Sequence, residues 1–371
     1  MEINVLVWNI MIPVLPPLRY FGQFERAERI PQVIQTINDT ETILDVIVFN
    51  ELIPLVIYDI ITSKLQDLGF FYTTKRIQDI LTESGGISIY SRYPIVDEGY
   101  TLYGSECAIS DCLSSKGVVY AKIDKMGFIA NILGTHLQSG EQYQSIREAQ
   151  TQMVSNFIKK LNIPKVEPLL FCGDLNMCRF LNNVEIKHLT YTLNMDLPQI
   201  SESSHPFTFD PRINPLVGID DPTQYVSREY PTGCADHYYK TKNCICCDNQ
   251  WLDFSLVSKS HLKPLVSSMK SIVAKTREDF DFDFTATDHL STSMVSDHFP
   301  IIGHFEFPLQ PFGYEFSKTN PQSTNSNSEQ AALFIVLIIV LIIIILAFPV
   351  YFLVVRFKKN RANNLFGTTK N

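Results

Sequence analysis

Positive charge is what the body of this chain has least of. The 371 residues carry 31 Lys and Arg against 39 Asp and Glu. Five of the basic residues, Arg356, Lys358, Lys359, Arg361 and Lys370, sit in the stretch 356–371, where no acid occurs; residues 1–330 therefore hold 26 basic against 39 acidic side chains. A body this acidic is a poor match for a polyanion such as DNA or RNA, and it suits a site that gathers divalent cations. An internal repeat is also missing, so the length is organised as one large or two ordinary domains. No apolar segment precedes the strand-like run Glu2–Trp8, which leaves no room for a signal peptide. Charge is absent altogether from 331–355, whose centre reads LFIVLIIVLIIIILAF.

At ~1.5 Å per residue that last stretch reaches roughly 37 Å, enough to cross a ~30 Å hydrocarbon core. The expected organisation is a catalytic domain over 1–309, a polar linker over 310–330, a transmembrane helix over 331–355 and a basic cytosolic tail over 356–371. The basic tail puts the catalytic domain on the extracellular or lumenal side of a single-pass membrane protein. The sequon Asn38-Asp39-Thr40 and the clustered cysteines agree with that side; the missing signal peptide favours a cytosolic tail-anchored arrangement instead. Of the eight cysteines, Cys107 and Cys112 form one loop-like cluster and Cys234, Cys244, Cys246 and Cys247 another, a pattern of disulfides. Zinc at Cys234, His237, Cys244 and Cys246 is the alternative, at an irregular spacing.

The remaining pattern alternates short apolar runs with helical periodicity. Strands are expected at Glu2–Trp8, Leu44–Phe49, Ile87–Tyr90, Val118–Ile123, Phe128–Leu133, Leu169–Cys172, Trp251–Val257 and Phe299–Phe307. Helices are expected over 24–38, 54–68 and 141–160. Residues 205–250 lack periodicity and read as a long surface excursion, and 277–284, with acids alternating with Phe280, Phe282 and Phe284, reads as an edge hairpin or a loop. Strand after strand ends in, or is followed by, a side chain that binds metals or phosphates: Asn9, Glu51, His136, Asp174 with Asn176, and Asp297 with His298, while Asp253 lies within its strand. Such residues at strand ends on a mixed strand and helix pattern point to one cleft at the edge of a sheet sandwich.

The order of these motifs resembles the endonuclease/exonuclease/phosphatase superfamily, and within it the bacterial-type neutral sphingomyelinases. The specific stretches are Gly22-Gln23-Phe24-Glu25-Arg26-Ala27, Asn50-Glu51, Gly85-Gly86-Ile87, Ser91-Arg92-Tyr93-Pro94-Ile95, Ser115-Lys116-Gly117-Val118-Val119-Tyr120, Gly134-Thr135-His136-Leu137-Gln138, Gly173-Asp174-Leu175-Asn176 and Ser296-Asp297-His298. The likeness covers about residues 3–307. It implies a four-layered α/β sandwich, two packed mixed sheets flanked by helices, and hydrolysis of sphingomyelin to ceramide and phosphocholine with Mg²⁺, or Mn²⁺, as cofactor. The partners it implies are the lipid substrate and the bilayer, with no nucleic acid; the oligomeric state is not legible. It departs from the bacterial pattern in the loop after His136, which holds no Cys, so Cys107–Cys112 would be the substitute pair. It departs again in the 277–290 hairpin, which lacks the Trp of a membrane-dipping tip, and in the Cys-rich addition at 234–247.

On chemical grounds Glu51, Asn9 and Asp297 are the candidate metal ligands. His298 is the candidate general base, oriented by Asp253, and Asp174 and Asn176 complete or border the site. His136 would donate to a non-bridging phosphate oxygen, with Lys116 assisting in substrate binding. Other hydrolases of the same fold are alternatives: a phospholipase C, an inositol-phosphate phosphatase or a nuclease. So is an anchored binding protein without catalysis.

Overall fold

The computed structural model describes residues 1–12, 22–79, 82–179, 183–217, 249–283, 289–311 and 314. Its centre is the strand Glu2–Ile12, whose residues from Ile3 onward are all buried. A strand sends successive side chains to opposite faces. Here Val5 and Val7 join one apolar cluster, and Leu6, Trp8 and Ile10 the other. Both faces are therefore covered, which is why the sequence there is apolar without alternation.

Two sheets follow. The first runs, in spatial order, through Gln199–Ile200, Val266–Ser271, Ile301–Glu306, Glu2–Ile12, Val46–Leu52, Ser88–Ser91 and Tyr72–Thr73. The second runs through Met195–Asp196, Asp253–Ser258, Leu169–Asp174, Phe128–His136, Gly117–Lys125 and Ile95–Leu102. Both are mixed: Glu2–Ile12 pairs parallel with Val46–Leu52, and Phe128–His136 parallel with Leu169–Asp174, among antiparallel neighbours. Val5, Val7, Val46 and Val48 of the first sheet share one cluster with Ala121, Ile132, Leu170 and Phe254 of the second, and this is the core between the sheets. Helices Gln23–Thr40 and Leu55–Asp67 cover the first sheet through Ile30, Ile34, Ile57 and Ile61. Helices Gln144–Leu161 and Asn183–Leu193 complete the other cluster through Val154, Leu161 and Leu189. The α/β sandwich with mixed sheets is therefore as the sequence implies.

Three expectations about the periphery change. No helix among the described residues is long and apolar enough to cross a membrane, so the single-pass assignment, with an extracellular or lumenal catalytic domain, is corrected; the stretch 331–355 that prompted it lies outside the described residues. The zinc alternative at Cys234, His237, Cys244 and Cys246 lies outside them too. The excursion read over 205–250 begins later than expected. Phe207, Thr208, Asp210, Asn214, Leu216 and Val217 are all buried, because Thr208 and Phe209 exchange backbone hydrogen bonds with Gln250, and Thr208 accepts from Phe299 N–H. Nor does the folded unit stop at 309: Gln310 bonds Ile129 N–H and C=O through its side chain, and Tyr314 Oη donates to Glu167 at 2.5 Å.

The stretch 275–294 forms a hairpin of Lys275–Asp283 with His289–Met294. Its described phenylalanines do not reach outward. Phe280 and Phe282 are buried in the cluster with the first helix, and the Arg29 guanidinium lies 4.3 Å over the Phe280 ring. The exposed side chains of the described hairpin are polar or charged: Lys275, Arg277, Glu278, Asp279, Asp281, Asp283 and Ser291. Phe284 lies outside the described residues.

Gly173 is the position where backbone shape presses hardest on the site. Its φ is +146°, and a Cβ there would come within 1.8 Å of Thr135 O on the neighbouring strand. Gly173→Ala is expected to destabilise the fold by more than ~2 kcal/mol, measured as a fall in denaturation midpoint against wild type; an unchanged midpoint would show that this strand pair is not closely set.

Candidate active site

Strand register alone assembles half of the site. In the second sheet Asp174 is paired with His136 on one side and with Asp253 on the other, so three functional residues lie in one row across three strands. In the first sheet Asn9 is paired with Asn50, and Glu51 follows. Asn50 closes the gap between the sheets: its Nδ2 donates to Thr135 O at 2.8 Å, and its Oδ1 accepts from Asp174 N–H at 2.9 Å. Glu51 itself has a φ of +61°, where the register between Glu2–Ile12 and Val46–Leu52 shifts; this break in the strand turns Glu51 to the cleft.

The side chains meet across that seam. Asn9 Nδ2 donates to Glu51 Oε1 at 2.9 Å and to Asp174 Oδ2 at 3.0 Å, while Asn9 Oδ1 accepts from Met11 N–H. In this arrangement Asn9 clamps two carboxylates rather than offering its oxygen to a cation. Asn176 is held behind Asp174: its N–H donates to Asp174 Oδ1, and its Nδ2 donates to Leu137 O. His298 Nδ1 lies 2.8 Å from Asp253 Oδ2, and His298 Nε2 lies 3.9 Å from Asp174 Oδ2. Ser296 Oγ donates to Asn9 O and accepts from His298 N–H, tying the last motif to the first strand. Arg26 is buried beneath and donates to Met11 O at 2.6 Å.

Lys116 and His136 form the other wall. Lys116 Nζ donates to Asp111 Oδ2 at 2.7 Å and to Leu137 O at 3.3 Å, and lies 3.2 Å from His136 Nε2. An ammonium group only donates, so His136 Nε2 accepts here. His136 Nε2 is also 3.6 Å from Asp174 Oδ2 and 4.0 Å from Glu51 Oε1. All the expected site residues are thus brought together, with Asp297 beside His298 and within electrostatic reach of Glu51.

Burial and charge set the protonation states. Burial, then repulsion from Asp297, pushes the Glu51 carboxyl up to about 7, against the pull of Asn9, Lys116 and His298. Burial, reinforced by the Lys116 charge, holds His136 down at about 3, so its ring is neutral at physiological pH. For His298 burial acts downward, but Asp253, Asp297 and Asp174 together raise it well above the ordinary histidine range. The atoms of Asp174, Asp253 and His298 that could bind a metal lie within 4.8 Å of one another. The short contact between His298 Nδ1 and Asp253 is the geometry of an oriented imidazole, and a hard cation prefers the oxygen side of the cleft, toward Glu51, Asp297 and Asp174. A divalent cation fits there: the carboxylates are hard donors, and repulsion from Asp297 adds to burial in raising Glu51.

Sequence reasoning missed several contributors. Asp111 fixes Lys116. Phe209 sets its ring 5.2 Å from the His298 imidazole, edge to face, and Asn214 Nδ2 donates to Ser296 O and Asp297 O. The signal available for the last two was Phe207 and Phe209 alternating with Thr208 and Asp210 before the aperiodic stretch. A cavity of about 860 Å³ lies elsewhere, between Glu28, Arg29, Lys64 and residues 275–280, and none of the site residues lines it.

A test of the electrostatics follows from Glu51. Its folded value of about 7 exceeds the 4.5 of an ordinary Glu, so its stabilising contribution is complete below pH ~4.5 and is lost as pH rises through ~7. In chelator, Glu51→Gln is expected to lose less stability than wild type between pH 4.5 and 8. Parallel stability–pH curves for the two proteins would contradict the assignment.

No protein-family model matches the chain. It is 28% identical over 302 residues to a phospholipase C of Staphylococcus aureus, across 76% of this chain and 80% of that protein. It is 29% identical over 322 residues to sphingomyelinase C 2 of Leptospira interrogans, across 81% of this chain and 46% of that protein. A solved variant of beta toxin from Staphylococcus aureus with bound magnesium ions superposes at a TM-score of 0.66 and 25% identity, covering 82% of this chain and 100% of the other. In sequence and in fold, this chain is similar to the bacterial-type sphingomyelinases of the endonuclease/exonuclease/phosphatase superfamily.

Proposed function

We propose that this protein is a Mg²⁺-dependent sphingomyelin phosphodiesterase that releases phosphocholine and leaves ceramide, with a catalytic domain that begins at residue 1 and runs past 309 to take in Gln310 and Tyr314. The observation that carries the reading is the His298–Asp253 pair at 2.8 Å, facing a cleft of carboxylates across from Lys116 and His136. That set has a base, an orienting acid, an oxyanion partner and a cation site in one place.

His298 Nε2 takes the proton from the attacking water. Asp253 holds Nδ1–H, which fixes the tautomer and stabilises the imidazolium that forms. Water oxygen bonds to phosphorus as the bond from phosphorus to the ceramide oxygen breaks, and that oxygen takes up a proton from solvent to leave as the ceramide hydroxyl. Lys116 supplies the positive charge beside a non-bridging oxygen, and neutral His136, accepting from Lys116, keeps that ammonium in place; direct donation from His136 requires its ring to exchange that contact for the phosphate. Glu51 and Asp297 would hold Mg²⁺, or Mn²⁺ in its stead, with Asp174 and Asn176 bordering and Asn9 aligning the carboxylates. When bound, the cation neutralises phosphate charge and makes nearby water easier to deprotonate. Asp253, Asp297 and Asp174 keep His298 protonated, and a cation held by Glu51 and Asp297 would offset the Asp297 and Asp174 part of that field and lower the base toward its working range.

The second reading is a phospholipase C on another choline lipid, which the name of the Staphylococcus aureus relative favours. Release of choline phosphate from sphingomyelin and from phosphatidylcholine, each with Mg²⁺ and with chelator, separates the two; no Mg²⁺-dependent release from either would overturn both. Under the proposed mechanism His298→Ala is expected to lower kcat by roughly 10²–10⁴-fold with little change in KM. Asp253→Asn is expected to lower it too, and the double variant to be hardly worse than His298→Ala, since the two act as one unit. Multiplicative losses in a folded double variant would show that they act separately.

A further inference from the structure

The loop that closes over Lys116 turns two large apolar side chains into solvent. Ile109 is 64% exposed and Leu113 is 71% exposed. Ile109 also has a φ of +46°, a left-handed backbone conformation that is costly for a β-branched residue. Folding gains nothing from this display, yet the loop is built to keep it. The Cys107–Cys112 disulfide staples the loop. Asp111 Oδ2 accepts from Lys116 Nζ at 2.7 Å and from Ser139 N–H at 2.8 Å, and Ala108 N–H donates to Gln138 Oε1 at 2.7 Å. The same lysine is 3.2 Å from His136 Nε2, so the loop borders the site directly.

The hairpin of Lys275–Asp283 with His289–Met294 has the opposite character. Its described phenylalanines are packed inward on the first helix, and its exposed side chains are polar or charged: Lys275, Arg277, Glu278, Asp279, Asp281, Asp283 and Ser291. Charged side chains keep their heads in the water and headgroup layer, whereas aliphatic ones enter the boundary with the acyl chains. A two-chain lipid presents its phosphodiester at that boundary, so the side of the cleft that meets it needs apolar tips close to the phosphate-binding residues.

We propose that the 107–113 loop is the surface that meets the lipid bilayer, with Ile109 and Leu113 entering it beside Lys116 and His136. The proposal rests on the sphingomyelin reading above. Two measurements on the full chain test it. The first uses Leu113→Trp, which is read against a low background because Trp8 and Trp251, the two native tryptophans, are both 0% exposed. With vesicles of sphingomyelin and phosphatidylcholine brominated in the acyl chains, the added emission is expected to fall at least ~2-fold, as for a side chain in the acyl boundary. Emission unchanged by brominated lipid overturns the proposal.

The second combines Ile109→Ser with Leu113→Ser. KM for sphingomyelin in vesicles is expected to rise at least ~10-fold, while turnover of a short-chain sphingomyelin below its critical micelle concentration stays within ~2-fold of wild type. Equal losses on both substrates, or no loss on vesicles, overturn it. If wild type hydrolyses neither substrate but Leu113→Trp is still quenched, the phosphodiesterase reading fails and the loop assignment stands.

Discussion

Glu51, Asp174, Asp253 and Asp297 share one cleft largely shielded from water, and their mutual repulsion is the constraint to which the surrounding structure responds. Taking a carboxylate out of water is costly unless it is bonded or paired. Asn9 answers by donating one amide to two of them, His298 by pairing with a third, and Lys116 and buried Arg26 by lending positive charge from either side. What remains unbalanced appears as a Glu51 that resists ionisation and a His298 that resists losing its proton. Under the proposed mechanism both shifts run against catalysis, and a divalent cation on the oxygen side would relieve both.

The sandwich makes that crowding possible. Neither sheet alone carries a working set: one brings Asn9 and Glu51, the other His136, Asp174 and Asp253. Asn50 bonds to both Thr135 and Asp174 from the first sheet, so the two rows face each other at one height. Gly173 has no side chain to keep the Phe128–His136 strand away, which lets His136 stand beside Asp174. Placement of the site's groups thus depends on core packing and on the buried Asn50 amide, which has no part in the proposed chemistry.

Legibility in the sequence varied from one residue to the next. Glu51, His136, Asp174, Asp253 and His298 stood out because each follows or opens an apolar run, and period-two geometry brings such positions to a sheet edge. The two-sheet α/β class was legible for the same reason, from strands buried on both faces. Asp111 was not, because its importance lies in a long-range ion pair with Lys116. Phe209 and Asn214 were hidden in a stretch without periodicity, held in place by backbone bonds to Gln250 and Phe299 and by side-chain bonds to the last motif. The hairpin was legible only in part, for a related reason: alternation shows that Phe280 and Phe282 share a face, not what that face meets.

The sequence by itself determined which chemical groups are present and which strand ends carry them, since charge, side-chain type and alternation are local properties. Only the tertiary structure decided that Asn9 serves as a clamp, that His136 stays neutral, and that Ile109 and Leu113 rather than Phe280 and Phe282 face outward. Those outcomes depend on burial and on partners distant in the chain, and solvation and Coulomb energies are set by what surrounds a group in space.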